Sequence, residues 1–225
     1  AGNQPNDFAE LLFEVGIGTG TNGVRLLAGT LKLHTELEET IAEFKHAEAA
    51  ITYSSGYSTN LTVISSLMGR GDYVFSDKLN HASIVDGCLM SGAEFRRFRH
   101  NDMEHLEGLL KNAPPEVAKL VIADSVFSMD GDIIDLPKVV ELCKTYKAWL
   151  MIDEAHSVGV LGAKGTGIEE HFNMYGQIDI KMGTLSKTIP SVGGYVAANK
   201  DIVTYLRHAS RAYIFSAALP PAQAA

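Results

Sequence analysis

Asp153-Glu154-Ala155-His156 and Gly183-Thr184-Leu185-Ser186-Lys187 place a carboxylate, an imidazole and a primary amine after successive apolar runs. Leu150-Met151-Ile152 reads as a buried strand ending at Asp153, and Ile178-Asp179-Ile180-Lys181-Met182 as a second ending just before the Gly-Thr-Leu-Ser-Lys segment. Open α/β sheets bind ligands at the carboxyl ends of their strands. An electron-sink cofactor needs a lysine to form a Schiff base and an acid to keep its pyridine nitrogen protonated. Lys187 and Asp153 supply both, so the layout points to pyridoxal 5'-phosphate.

A lysine amine is a nucleophile only when neutral, so the fold is expected to depress its pKa by burial or by an adjacent cationic cofactor. Taken alone, a lysine after a strand is an ordinary surface residue. Gly183-Thr184 and Gly193-Gly194 change that balance, because glycine allows close backbone approach and Thr184 offers a hydroxyl to a phosphate oxygen. Ser55-Gly56-Tyr57 precedes a helical pattern, so the backbone N–H groups of Gly56 and Tyr57 are the candidate phosphate donors.

The elements that must hold these residues alternate along the chain. Helices are expected over His34–His46, with Thr35 and Glu38 in capping-box spacing, and over Ser58–Met68, His81–Met90, Met103–Leu110 and Leu136–Tyr146. Strands are expected over Ala49–Tyr53, Asp72–Phe75, Glu94–Phe98, Leu120–Ala123 and Gly194–Ala198. This order predicts an α/β fold with a mostly parallel sheet between helices. Gly18-x-Gly20-x-x-Gly23 fits a dinucleotide fingerprint, but Glu36, Glu38 and Glu39 fall inside the first predicted helix, whereas a ribose-binding acid ends the next strand.

The 225 residues suit one sizeable domain, and a formal charge of −8 gives no global attraction to nucleic acid or an anionic membrane. Arg96, Arg97, Arg99 and His100 form the sole basic cluster, most simply a solvated strand end. Cys88 and Cys143 are too few and too far apart for a metal knuckle or a disulfide framework, so no metal is expected and a reducing, cytoplasmic setting is. No apolar stretch is long enough for a membrane span.

Five segments, in order, make the chain resemble the α-oxoamine synthase family of pyridoxal-phosphate enzymes: Gly18–Arg25 with Gly29-Thr30 and His34; Tyr53–Tyr57; Asp77–Gly87; Val126–Asp132; and the Asp153 and Lys187 pair. The resemblance implies an aminotransferase-like (fold type I) large domain, residues 16–225, with a mostly parallel seven-stranded sheet in which Gly194–Ala198 runs antiparallel. Residues 1–15 would be a linker or edge, and Phe215–Pro221 would lead into a smaller C-terminal domain not visible in this sequence. It further implies that Asp153 faces the pyridine nitrogen and that His156 and Ser128 approach the phenolic oxygen. His81 would stack on the ring and contact the substrate carboxylate, and Ser216 would reach the phosphate of a neighbouring subunit in a homodimer. The implied reaction condenses a small amino acid with an acyl thioester and loses carbon dioxide. Ser186, Pro190 and Ser191 depart from the family's common glycine-rich form, which leaves open whether coenzyme A or an acyl-carrier protein bears the acyl group. A CoA-dependent lyase, a non-catalytic scaffold subunit of a heteromeric synthase and a nicotinamide-binding domain are the rival expectations.

Overall fold

Every residue of Lys119–Asp124 is buried, which a strand achieves only when both faces of its sheet are covered. The computed structural model describes residues 20–21 and 23–225, and it places that strand, β4, inside a seven-stranded sheet. The others are β1 (Ala49–Tyr53), β2 (Tyr73–Asp77), β3 (Glu94–Phe98), β5 (Trp149–Asp153), β6 (Ile180–Ser186) and β7 (Pro190–Ala198). Their order is β1-β7-β6-β5-β4-β2-β3. β7 pairs antiparallel with both neighbours and every other pairing is parallel. The expected linker 1–15 lies outside the described residues, as do residues 18, 19 and 22 of the first glycine-rich segment.

Side chains alternate between two apolar layers. Leu120 and Ile122 of β4 join Ile51, Met151 and Val196 in one layer, beneath helices α2 (Gly56–Leu67), α3 (Ala82–Ser91) and α7 (Lys200–Ala209). Val121 and Ala123 join Leu150 and Ile152 on the other face, under α4 (Met103–Lys111) and α5 (Leu136–Tyr146). Helix α1 (Lys32–Phe44) covers Ala50, Tyr195 and Ala197 through Ile41 and Ala42. Short helices α6 (Ile168–Phe172), α8 (Arg211–Ile214) and α9 (Pro221–Ala224) complete the described chain, and Arg25–Gly29 forms a single π-helical turn.

The expected capping box of Thr35 and Glu38 does not form. Helix α1 begins earlier, at Lys32, and His34 Nδ1 accepts the N–H of Leu31 at 3.1 Å. Glu38 instead turns inward, where Oε1 accepts Arg25 Nη1 at 2.8 Å and the N–H and hydroxyl of Thr52 at 2.9 Å each. Arg207 Nη2 reaches its other oxygen at 3.2 Å. Removing one partner of a buried ion pair strands the other charge, at about 3–5 kcal/mol. Glu38→Ala is therefore expected to lower the urea midpoint by an amount equivalent to that loss, with the m-value unchanged.

A second buried charge network runs from the carboxyl end of β5 to the start of β6. Lys45 Nζ meets Glu154 Oε2 at 2.5 Å, and Lys181 Nζ meets Glu169 Oε2 at 2.6 Å and the Lys45 carbonyl at 2.8 Å. Glu154 Oε1 also accepts the N–H of Ile168 at 2.9 Å, so the residue following Asp153 is pinned to the start of α6. This network fixes the direction in which the chain leaves β5. The basic cluster is a strand end, as the simpler expectation had it: Arg96 pairs with Glu94 and Arg99 with Asp102.

Candidate active site

Strands β4 and β5 are in register, with Asp124 opposite Asp153, so two carboxylates emerge side by side at their carboxyl ends. Both oxygens of Asp153 are occupied: Asn60 Nδ2 donates to Oδ2 at 2.7 Å and Ala155 N–H to Oδ1 at 2.9 Å. Asp124 Oδ2 accepts the N–H of His81 at 3.2 Å, while Oδ1 has no partner among the described residues. Burial first, and then the Asp153 charge, push Asp124 up to about 8. Both causes favour the protonated, neutral form of Asp124 over the carboxylate.

The Gly-Thr-Leu-Ser segment differs from expectation, since it continues β6 instead of following it. Gly183 allows this, because a Cβ there would lie 2.3 Å from the Tyr195 ring on the neighbouring strand. Alternation then turns Thr184 and Ser186 toward the same side as Met182, and a bulge between Thr184 and Ser186 precedes the bend before β7. Lys187 lies in that bend and is exposed. Its Nζ donates to His156 Nε2 at 2.6 Å. Burial first, and then the Lys187 charge, lower the pKa of His156, which suits an imidazole that accepts this hydrogen bond in its neutral form.

The first turn of α2 closes the opposite wall. Ser55 caps the helix by accepting the Ser58 N–H at 3.1 Å, leaving the N–H groups of Gly56 and Tyr57 at the free end. Close approach explains two glycines here: a Cβ on Gly56 would sit 3.0 Å from Thr184 Oγ1, and one on Gly194 would sit 2.8 Å from the Gly56 Cα. Thr184 Oγ1, expected beside the phosphate, thus abuts this helix start. It also lies 2.8 Å from Ser186 Oγ and donates to the Gly193 carbonyl at 3.0 Å. His81 caps α3, with Nδ1 2.7 Å from Ser83 Oγ and its ring edge-on to Tyr57. The Tyr57 hydroxyl is held by Asp86.

One cavity of about 280 Å³ gathers eight of the nine residues expected in the site: Gly56, Tyr57, His81, Ser128, Asp153, His156, Thr184 and Lys187. Ser216 is absent from its walls. It sits in a bend before Ala217, which bridges to Val24, and its expected partner is the phosphate of another subunit.

Asn60, Ser83 and Asp124 also line the cavity and were not singled out from the sequence. Asp124 was legible there, since it ends the apolar run Leu120–Ala123 just as Asp153 ends Leu150–Ile152. Asn60 follows Gly56 by one helical turn, which puts an amide on the inner face of α2. The donors fit a group with a phosphate, an aromatic ring and a carbonyl. Free helix N–H groups lie beside the Thr184 hydroxyl, an amine lies opposite, a carboxylate lies at the floor, and the buried Asn60 Oδ1 and Asp124 Oδ1 lack partners among the described residues.

A mostly parallel sheet with one reversed strand, and a lysine and a strand-end carboxylate lining one cavity, are the pattern of a type I pyridoxal-phosphate fold. Residues 3–225 match the family described as aminotransferase class I and II. The chain is 51% identical over 205 residues to the 8-amino-7-oxononanoate synthase of Geobacter sulfurreducens, covering 91% of this chain and 52% of that protein. It is 45% identical over 208 residues to the serine palmitoyltransferase of Sphingobacterium spiritivorum, covering 92% and 52% respectively. A serine palmitoyltransferase from S. paucimobilis, solved with a bound PLP–myriocin aldimine, superposes with a TM-score of 0.92 at 43% identity, over 98% of this chain and 56% of that one. The chain belongs to the aminotransferase class I and II family and, within it, to the α-oxoamine synthases. It spans about half the length of the curated relatives it matches.

Proposed function

We propose that this chain is the cofactor-binding part of a pyridoxal-phosphate-dependent α-oxoamine synthase. It would join a small amino acid to an acyl thioester, carried by coenzyme A or an acyl-carrier protein, and release carbon dioxide and the thiol. The observation that carries the reading is the convergence of Lys187, His156, Asp153 and the start of α2 on one cavity.

Pyridoxal phosphate, when bound, supplies an electron sink for the bonds at the amino-acid Cα. The N–H groups of Gly56 and Tyr57, with the Thr184 hydroxyl, would hold its phosphate. Asp153 would face the pyridine nitrogen, kept in place by Asn60 and Ala155. His156 and Ser128 would bond the phenolic oxygen. His81 would lie against the ring, its backbone fixed by Asp124, and orient the substrate carboxylate so that the bond to carbon dioxide can break. Lys187, next to the neutral His156, would take the Cα proton at Nζ and return it after condensation.

The working unit is a homodimer in which Ser216 completes the partner's phosphate site. Leu27 and Phe215 support this, since each is large, apolar and more than two-thirds exposed near Ser216 in sequence or through the Val24–Ala217 bridge. A cytoplasmic setting is supported by the two buried, unpaired cysteines.

The test supplies the purified full-length protein with pyridoxal phosphate, each of several small amino acids and acyl thioesters of graded length. Carbon dioxide and the amino ketone are measured together by mass spectrometry. Equimolar formation of both supports the synthase. Acyl-thioester formation from an amino ketone acid, with no carbon dioxide in either direction, favours the lyase and sinks the proposal.

A further inference from the structure

His100 is gripped from two sides. Its Nδ1 lies 3.0 Å from Asp77 Oδ1, at the carboxyl end of β2, and its Nε2 lies 2.8 Å from Asp132 Oδ2. Asp132 belongs to the 125–134 loop, which leaves β4 after Asp124, presents Ser128 to the cavity and returns toward α5. The His100 ring also packs edge-on against Phe127, the residue before Ser128, with centroids 4.4 Å apart. Asn101 extends the same junction: its N–H donates to Asp77 Oδ2 at 2.8 Å and its side-chain amide to the Ile133 carbonyl at 3.1 Å.

Within itself the loop is closed by the Phe127 N–H to the Asp132 carbonyl at 3.0 Å and by the Gly131 N–H to the Phe127 carbonyl. Those bonds shape its tip but do not fix it against the sheet. The Val126–Ile133 bridge is likewise internal to the loop, and the ties to the sheet run through His100 and Asn101 on one side and, at the loop's start, through the N–H and hydroxyl of Ser125, which donate to the Asp153 carbonyl at 2.8 and 2.9 Å. Ser128 and Met129 at the tip are exposed, so little packing restrains them.

We propose that His100 is a positioning residue, a charged clasp between Asp77 and Asp132 that anchors the 125–134 loop and thereby holds Ser128 at the cavity. Both ring nitrogens face carboxylate oxygens, which accept but do not donate, so the full clasp needs both N–H groups and hence the imidazolium. Burial, which lowers the pKa of His100, is outweighed by the hydrogen bonds and charges of Asp77 and Asp132, and the net direction is upward from 6.5. Those two aspartates are the charged groups against the ring. Of its basic neighbours, Arg99 is engaged by Asp102 and Arg97 by the Lys78 carbonyl. A folded-state pKa raised above the unfolded value gives stabilisation that is complete below 6.5 and is lost as pH rises through the folded value. The loop is thus tightest in mild acid and loosens toward alkaline pH.

The clasp stands on Ser128 lining the cavity; only a cofactor readout would depend on the functional reading, and the decisive measurements need no cofactor. The first follows the His100 ring resonance by NMR through a pH titration in the parent and in Asp132→Asn. The second follows hydrogen exchange of peptides covering 125–134, corrected for intrinsic rates, in the parent, Asp132→Asn and His100→Gln. The expected results are a parent His100 pKa above 6.5 that falls in Asp132→Asn, and loop protection that drops by up to about tenfold per pH unit across the same window. The drop should move to lower pH in Asp132→Asn and vanish in His100→Gln. Loop protection in the parent that is flat from pH 6 to 9, or a midpoint unmoved by Asp132→Asn, would overturn the clasp. Because Asp132→Asn keeps a hydrogen-bonding side chain of the same shape, its midpoint still reports if His100→Gln fails to fold.

Discussion

Lys187→Ala is expected to remove the lysine-dependent visible absorbance that pyridoxal phosphate develops with the parent protein, and to lower turnover by at least about 10²–10⁴-fold, the usual loss for a positioned proton-transfer group. The two readouts separate binding from chemistry. Gly56, Tyr57 and Thr184 hold no part of their geometry through Lys187, because the helix start is fixed by Ser55 and Thr184 is fixed by Ser186 and Gly193. The variant should therefore still bind the phosphate end of the cofactor, with an ordinary free-aldehyde spectrum. Loss of its Nζ also removes a positive charge 2.6 Å from His156, the second cause of that imidazole's lowered pKa, so His156 should titrate at higher pH in the variant. Unchanged absorbance in Lys187→Ala would assign the amine elsewhere, and unchanged turnover would remove the catalytic reading of this bend.

What the sequence made legible follows from where physical signals are local. Asp153 and Lys187 sit beside strand patterns, and a strand end in an open sheet is itself a statement about where ligands bind. Asp124 carries the same signal, but a second acid next to the first has no role until the β4–β5 register brings the two together. The inward turn of Glu38 was not legible, since capping-box spacing is local whereas its partners Arg25, Thr52 and Arg207 come from three separate segments. Gly183 carries a local signal that the sheet overrides. A glycine after an apolar run signals the end of a strand, yet here it makes room for the Tyr195 ring across the β6–β7 pair, which only the pairing reveals. The exposure of Lys187 also turns on tertiary structure: the bend that carries it leaves the sheet, so the amine meets His156 instead of being buried between strands.

Asp153→Asn is expected to leave the fold and the lysine-dependent absorbance in place while lowering kcat on the order of 10²–10³-fold, the scale for removing one preorganised electrostatic group. The amide keeps the shape and one acceptor oxygen, but it carries no charge to stabilise a protonated pyridine nitrogen, so the sink weakens without the site collapsing. The same substitution has a consequence one strand away. Asp124 is raised to about 8 by burial first and by the Asp153 charge second, so removing that charge should move its titration downward while burial keeps it above 3.8. A carboxyl whose folded pKa exceeds its unfolded value stabilises the fold below the unfolded pKa and loses that contribution as pH rises through the folded one. In the parent the decline attributable to Asp124 therefore extends from pH 3.8 to about 8, and in Asp153→Asn it should end at lower pH. Urea denaturation between pH 5 and 8, with Asp124→Asn as the reference lacking the group, measures that difference. If the two profiles, each taken relative to its Asp124→Asn counterpart, coincide across that range, the carboxylates do not share charge and Asp153 acts on the cofactor alone.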